Sequence, residues 1–173
     1  MEFRIRNRHG RGFLHELGPD AGFLKHLSGQ IIRMFCDCIT LGGRMLLDVG
    51  PKEDGTLDER QEKVLEDLGT WISDHDEAVH GTGKGLNYAQ FLGGSTLSAD
   101  KKTIYLFVYD TPREALCVKG VKTPVKKVTV LHTGEELRFS YTGALPWSGI
   151  PGTLWIWAEG MKEHPFATVL KVE

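Results

Sequence analysis

Gly42-Gly43-Arg44-Met45-Leu46-Leu47-Asp48-Val49-Gly50-Pro51-Lys52-Glu53-Asp54-Gly55-Thr56 decides the fold of the first half of this chain. Met45–Val49 is nearly continuous apolar sequence. A strand covered on both faces has this pattern, as in a parallel sheet between helices. Gly42-Gly43 can end a preceding helix, because glycine enters the left-handed C-cap conformation without a Cβ penalty. Gly50-Pro51 closes the strand, and Lys52-Glu53-Asp54-Gly55 has the composition of a loop.

Outward from this strand, both flanks have helical period. Ile31, Ile32, Phe35, Cys38 and Ile39 recur at helical spacing, with Arg33 and Asp37 on the opposite side. Ser28 is the expected N-cap, and the helix is expected to run to about Leu41. On the other flank, Thr56-Leu57-Asp58-Glu59 matches a capping box, in which hydroxyl and carboxylate each satisfy an orphan N–H. Val64, Leu65, Leu68, Trp71 and Ile72 form that helix's apolar face, and Asp58, Glu59 and Glu62 sit near the positive end of its dipole. The unit is helix–strand–helix, with one strand in view.

The period changes after the glycine-rich link Gly81-Thr82-Gly83-Lys84-Gly85. Ile104, Leu106 and Val108 alternate with Tyr105, Phe107 and Tyr109; Leu137, Phe139 and Tyr141 alternate with Arg138, Ser140 and Thr142. Further strand-like runs are Leu86–Leu92, Ala115–Lys119, Lys126–Leu131, Thr153–Ala158 and Ala167–Val172. Ala99-Asp100-Lys101, His132-Thr133-Gly134 and Ile150-Pro151-Gly152 mark turns. Short strands at this spacing predict an antiparallel β-sandwich. The fold class is therefore α+β.

Composition excludes several classes. Lys+Arg 21 against Asp+Glu 23 leaves a net charge of −2, which gives no electrostatic footprint for nucleic acid. No apolar run approaches the ~18–20 residues of a transmembrane helix, so no membrane partner is expected. The basic start, Met1 to His9, has no apolar stretch after it and does not read as a signal peptide. Three cysteines, Cys36, Cys38 and Cys117, are too few for a disulfide framework and read as structural thiols. The histidines at 9, 15, 26, 75, 80, 132 and 164 show no metal-binding spacing, and His75 in Asp74-His75-Asp76-Glu77 reads as a solvated helix end. No metal or cofactor is expected. With 173 residues the chain is shorter than the ~200–250 residues of a complete (β/α)8 barrel.

The opening stretch resembles a signature of the α-L-fucosidases of glycoside hydrolase family 29, G-G-N-L-L-L-[ND]-[VI]-G-P-x-x-D-G-x-I. Gly69-Thr70-Trp71-Ile72 and Glu77-Ala78-Val79-His80-Gly81-Thr82 are similar to the blocks that follow it in the family. Ser95 to Asp100, Thr103 to Val108, Pro146-Trp147 and Ile150-Pro151-Gly152 resemble one bacterial branch. The resemblance covers about residues 28–173. It implies that residues 1–82 are the C-terminal remnant of a (β/α)8-like catalytic barrel, with 1–27 unplaced, and that 83–173 are the β-sandwich that follows it. Residues 83–173 are then expected to fold without 1–80. The implied parent activity is retaining hydrolysis of terminal α-L-fucose, with fucosylated glycans as substrates. In that chemistry one carboxylate forms a glycosyl-enzyme and a second carboxyl acts as acid, then base. Family members are often secreted, periplasmic or lysosomal.

Neither catalytic motif stands in this sequence. The acid/base Glu of the family's W-E-x-C-like motif would fall near Asn7, in Arg6-Asn7-Arg8-His9, and the aromatic motif after it corresponds to Leu14-His15-Glu16-Leu17. No residue is assigned as catalytic; Glu16 is the one N-terminal carboxylate that could be promoted. The chain is expected to be inactive alone, as a truncated homologue or an expressed fragment. Asp48 interrupts the apolar strand. A buried carboxylate without partners is costly, so it is expected to have them and to support a sugar site from behind. Trp147, Trp155 and Trp157 with Tyr141 could instead form an aromatic platform. That reading makes the chain a non-catalytic β-sandwich module binding carbohydrate or a protein. A remnant barrel with an open strand edge also makes self-association possible.

Overall fold

The computed structural model describes residues 2–4, 21–110, 113–143, 145, 147, 149 and 151–173. Glu16 and Asn7 lie outside them. The first strand, β1 (Glu2–Arg4), was not foreseen. It pairs in parallel with β2 (Arg44–Leu46), in the register Glu2↔Arg44, Phe3↔Met45 and Arg4↔Leu46. Between them runs α1 (Ala21–Thr40). The half-chain is thus a β–α–β unit followed by a helix, and the single strand in view has a neighbour.

α1 starts well before Ser28. The apolar spacing continues backwards through Leu27 and Leu24, so the helix has no reason to begin at the serine. Ser28 is buried inside it, and its Oγ donates to Asp67 Oδ2 at 2.7 Å. The C-terminal stop is the expected one. Gly42 has φ +77°, its N–H bonds Ile39 O, and the Gly43 N–H bonds Cys38 O. These are the two bonds of a Schellman cap.

β2 is shorter and barer than its apolar run predicts. Met45 and Leu47 pack against Leu27, Ile31 and Val64. On the other face Leu46 is 43% exposed and Asp48 is exposed. Among the described residues helices cover one side of this strand, so the expectation of burial on both faces fails, and with it the expectation that Asp48 is buried and partnered. The second helix, α2 (Glu59–Asp74), is capped by Asp58, whose side chain accepts from the Arg60 N–H. Thr56 bonds Asp54 instead, through both N–H and Oγ1. The capping box therefore does not form. One further turn, α3 (Asp76–Val79), follows.

The rest is antiparallel. β3 (Thr82–Lys84), β4 (Gly94–Ser98), β5 (Ile104–Val108), β7 (Val128–Val130) and β10 (Thr168–Val172) form a sheet in the order β3-β4-β5-β10-β7; β6 (Leu116–Val121), β8 (Arg138–Thr142) and β9 (Gly152–Trp157) form another in the order β6-β9-β8. β3 occupies the segment expected to be a link, whereas Leu86–Leu92 is turn and loop, closed by the Gln90 N–H on Asn87 O. The registers Leu106↔Leu170↔Val130 and Val118↔Leu154↔Tyr141 set the inward faces. Leu106, Val108, Val130, Leu170 and Val172 meet Val118, Leu154 and Ile156 in one core.

Alternation puts the odd residues of β5 on the other side. Tyr105, Phe107 and Val169 pack with Ile32, Cys36, Trp71 and Ala78 in a second core. Trp71 is fully buried there. Its Nε1–H donates to Ala167 O at 2.8 Å, and its ring meets Phe35 edge-on at 6.2 Å. The order of layers is helices, five-stranded sheet, three-stranded sheet. Cys36 and Cys38 are buried free thiols, and Cys117 is half-buried. No helix among the described residues is long and apolar enough to cross a membrane.

Candidate functional site

After β2 the chain passes Asp48 and enters the loop that leads to α2. There an open cleft of about 520 Å³ is lined by Leu24, Lys52, Asp58, Glu59 and Arg60. Gly55, at φ +83°, makes the loop's tight turn, and its N–H bonds Lys52 O. Asp54 Oδ1 accepts from Thr56 Oγ1 at 2.7 Å, which holds its carboxyl below the usual range.

Asp58 is more committed still. Oδ1 takes the Arg60 backbone N–H at 2.9 Å and Nε–H at 2.8 Å, while Oδ2 takes a guanidinium N–H at 3.1 Å. The Arg60 side-chain bonds push its pKa far below the usual carboxylate range. A carboxyl held ionised in this way cannot serve as a general acid, which needs a raised pKa. Asp58 therefore anchors the start of α2. Asp48 has no hydrogen-bond or ion-pair partner among the described residues and is exposed.

The aromatic platform does not assemble as four rings. Trp155 and Trp157 do share the outward face of the three-stranded sheet. Trp155 is 37% exposed, with Nε1–H on Thr142 Oγ1, and the Arg138 guanidinium lies 4.4 Å from the Trp157 ring centroid. Tyr141 faces the other way. It packs on the inner core, donates to Val121 O and accepts the Gly152 N–H. Trp147 is 83% exposed.

The sequence reading missed a histidine cluster. His75 is not solvated but fully buried, stacked on Trp71 at 4.6 Å between centroids. Its Nδ1 lies 2.8 Å from Trp71 O. The rings of His132 and His164 close around it, and His164 Nε2 is 3.4 Å from Asp74 Oδ2. Burial lowers the pKa of all three, that of His75 from 6.5 to about 4. A signal existed: Val64, Leu68, Trp71 and His75 fall at helical spacing on one face.

Comparison with known proteins agrees with this architecture. A family model described as Alpha-L-fucosidase matches residues 25–77. An α-L-fucosidase of Branchiostoma floridae is 23% identical over 114 residues, covering 64% of this chain and 25% of that protein. Among solved structures, a Bacteroides thetaiotaomicron GH29 α-L-fucosidase, trapped as a covalent intermediate, superposes with a TM-score of 0.70 at 22% identity, covering 84% of this chain and 32% of that one. α-L-Fucosidase isoenzyme 1 of Paenibacillus thiaminolyticus gives 0.68 at 23%, covering 84% and 34%. The chain thus spans about a quarter to a third of the length of these three relatives. With the Gly42–Thr56 signature inside the matched segment and a shared fold across most of the chain, this protein is similar to the C-terminal portion of the family 29 α-L-fucosidases.

Proposed function

We propose that residues 1–82 form the end of a (β/α)8-like barrel and 83–173 a β-sandwich, and that together they serve retaining hydrolysis of terminal α-L-fucose in fucosylated glycans. The observation that carries this reading is β1–α1–β2–α2. β2 runs parallel to β1 and, among the described residues, has helices against one of its faces while Leu46 on the other is exposed, as in a slice of barrel whose interior is open. Asp48, just past β2 on that bare face, is the residue we assign to the sugar-facing rim, supporting the site rather than reacting in it. The motifs for nucleophile and acid/base are not in this sequence, so the chain is inactive by itself.

The test is hydrolysis of an aryl α-L-fucoside by the purified chain. No turnover is expected. Turnover abolished by Glu16→Gln would overturn the assignment and make Glu16 the acid/base. Binding of a fucosylated oligosaccharide without turnover would favour the non-catalytic carbohydrate-binding module.

A second expectation concerns assembly. β2 pairs with β1 along one edge, and Leu46 and Leu41, 43% and 63% exposed, stand bare beside it. An open strand edge beside exposed apolar residues invites pairing with another chain. We expect dimers or larger species in sedimentation at micromolar concentration, reduced by Leu46→Lys. A strict monomer would contradict self-association through this unit.

A further inference from the structure

Three rings meet where α2 ends against the five-stranded sheet. His75 closes α2, His132 lies in the turn after β7, and His164 lies in the segment before β10. Their centroids are 5.1 Å apart for His75–His164, 5.3 Å for His132–His164 and 5.6 Å for His75–His132. The Trp71 carbonyl can only accept, so the ring proton of His75 sits on Nδ1 and Nε2 keeps its lone pair. That Nε2 is buried without a partner among the described residues, and so is His132 Nδ1. Among the described residues no three His, Cys, Asp or Glu side chains are placed to hold a metal ion. The free Nε2 lone pair of His75 is a place where a proton can add.

We propose that the His75–His132–His164 trio is a proton-released latch, closing the end of α2 and α3 onto the five-stranded sheet when neutral and opening that contact when protonated. The groups around it explain the direction. On α2, Asp74 faces His164; in the turn after β7, Glu135 attracts His132; Trp71 and Phe166 bring no charge. Both carboxylates favour a charged ring, yet burial is the larger effect at every one of the three histidines. A proton on His75 also meets like charge from its two neighbours. The closed form thus binds protons more weakly than the opened form. Its stability is complete above the free-histidine value of 6.5 and is lost as pH falls toward about 4.

Hydrogen exchange tests this on the intact chain, at pH 7.5 and pH 5, after correction for the intrinsic pH dependence. From His75 alone the opening equilibrium of residues 71–79 should rise about 30-fold between the two pH values. β9 should respond far less. His75→Phe fills the same space without a proton acceptor and should lose most of the rise; His132→Gln should reduce it. Should His75→Phe not fold, His132→Gln and His164→Gln decide. An undiminished rise in those variants would overturn the latch. So would a pH-independent opening in the parent chain, or a uniform rise that includes β9.

Discussion

Replacing Trp71 by alanine should cost on the order of 4–5 kcal/mol of stability, enough to unfold a marginal domain. The indole is fully buried between Phe35, Phe107 and His75, and its removal leaves a cavity between the helices and the five-stranded sheet. It also takes the donor from Ala167 O, a buried backbone carbonyl. Trp155→Ala is the control. That ring lies on the outer face of the three-stranded sheet and is 37% exposed, so its truncation should cost no more than about 1 kcal/mol. Urea denaturation of the two variants should separate them by several kcal/mol. Equal losses would show that the helical layer does not share a core with the sheets.

The second large effect is expected at Gly85. A Cβ there would stand 2.3 Å from Ser95 O and 2.4 Å from both Ser95 C and Oγ. The obstacle is backbone, so it cannot turn aside, and the Gly85 N–H bond to Ser95 O and the Leu86 N–H bond to Ser95 Oγ would be lost with it. Gly85→Ala should cost about 3 kcal/mol and detach β3 from β4. Gly83, two residues earlier, has nothing within 4 Å of its Cβ position. Gly83→Ala should be neutral or stabilising by up to about 1 kcal/mol, because it restricts the unfolded chain. The pair can be ranked by thermal melting; a Gly85→Ala protein as stable as the parent would refute the close approach.

Where local chemistry and tertiary packing agree, the sequence was legible. Gly42-Gly43 ends α1 because only glycine accepts that φ without strain, whatever lies around it. β5 and β10 were clear from alternation or apolar runs, since both faces of the sheet are filled. The failures have a common physical source. Ser28 and Thr56 are good cap residues by propensity, but the apolar stripe extends past Ser28, and Asp54 and Asp58 compete for the chain around Thr56. β3 is mostly glycine and threonine, so nothing in it announces a strand; it is held by its pairing with β4. Leu86–Leu92 has strand-like composition, but Asn87 and Gln90 fold it into a turn. At the candidate site, Asp48 was visible as an interruption, yet which face of β2 is bare depends on where the helices lie. His75 was misread because its polar neighbours outweighed its place on the apolar face of α2.

The central strands β5 and β10 are covered on both faces, and this has a consequence for how the molecule can be divided. The boundary near residue 82 between the two proposed units runs through a shared interior. Cutting there would strip Tyr105, Phe107, Ala167 and Val169 of their cover and turn the back of the sheet into an adhesive surface. A recombinant version of the C-terminal sheets should therefore carry α1 and α2 with it, or else receive polar substitutions at Phe107 and Val169. Module swapping between relatives should place its crossover upstream of α1 rather than in the glycine-rich segment before the sheets.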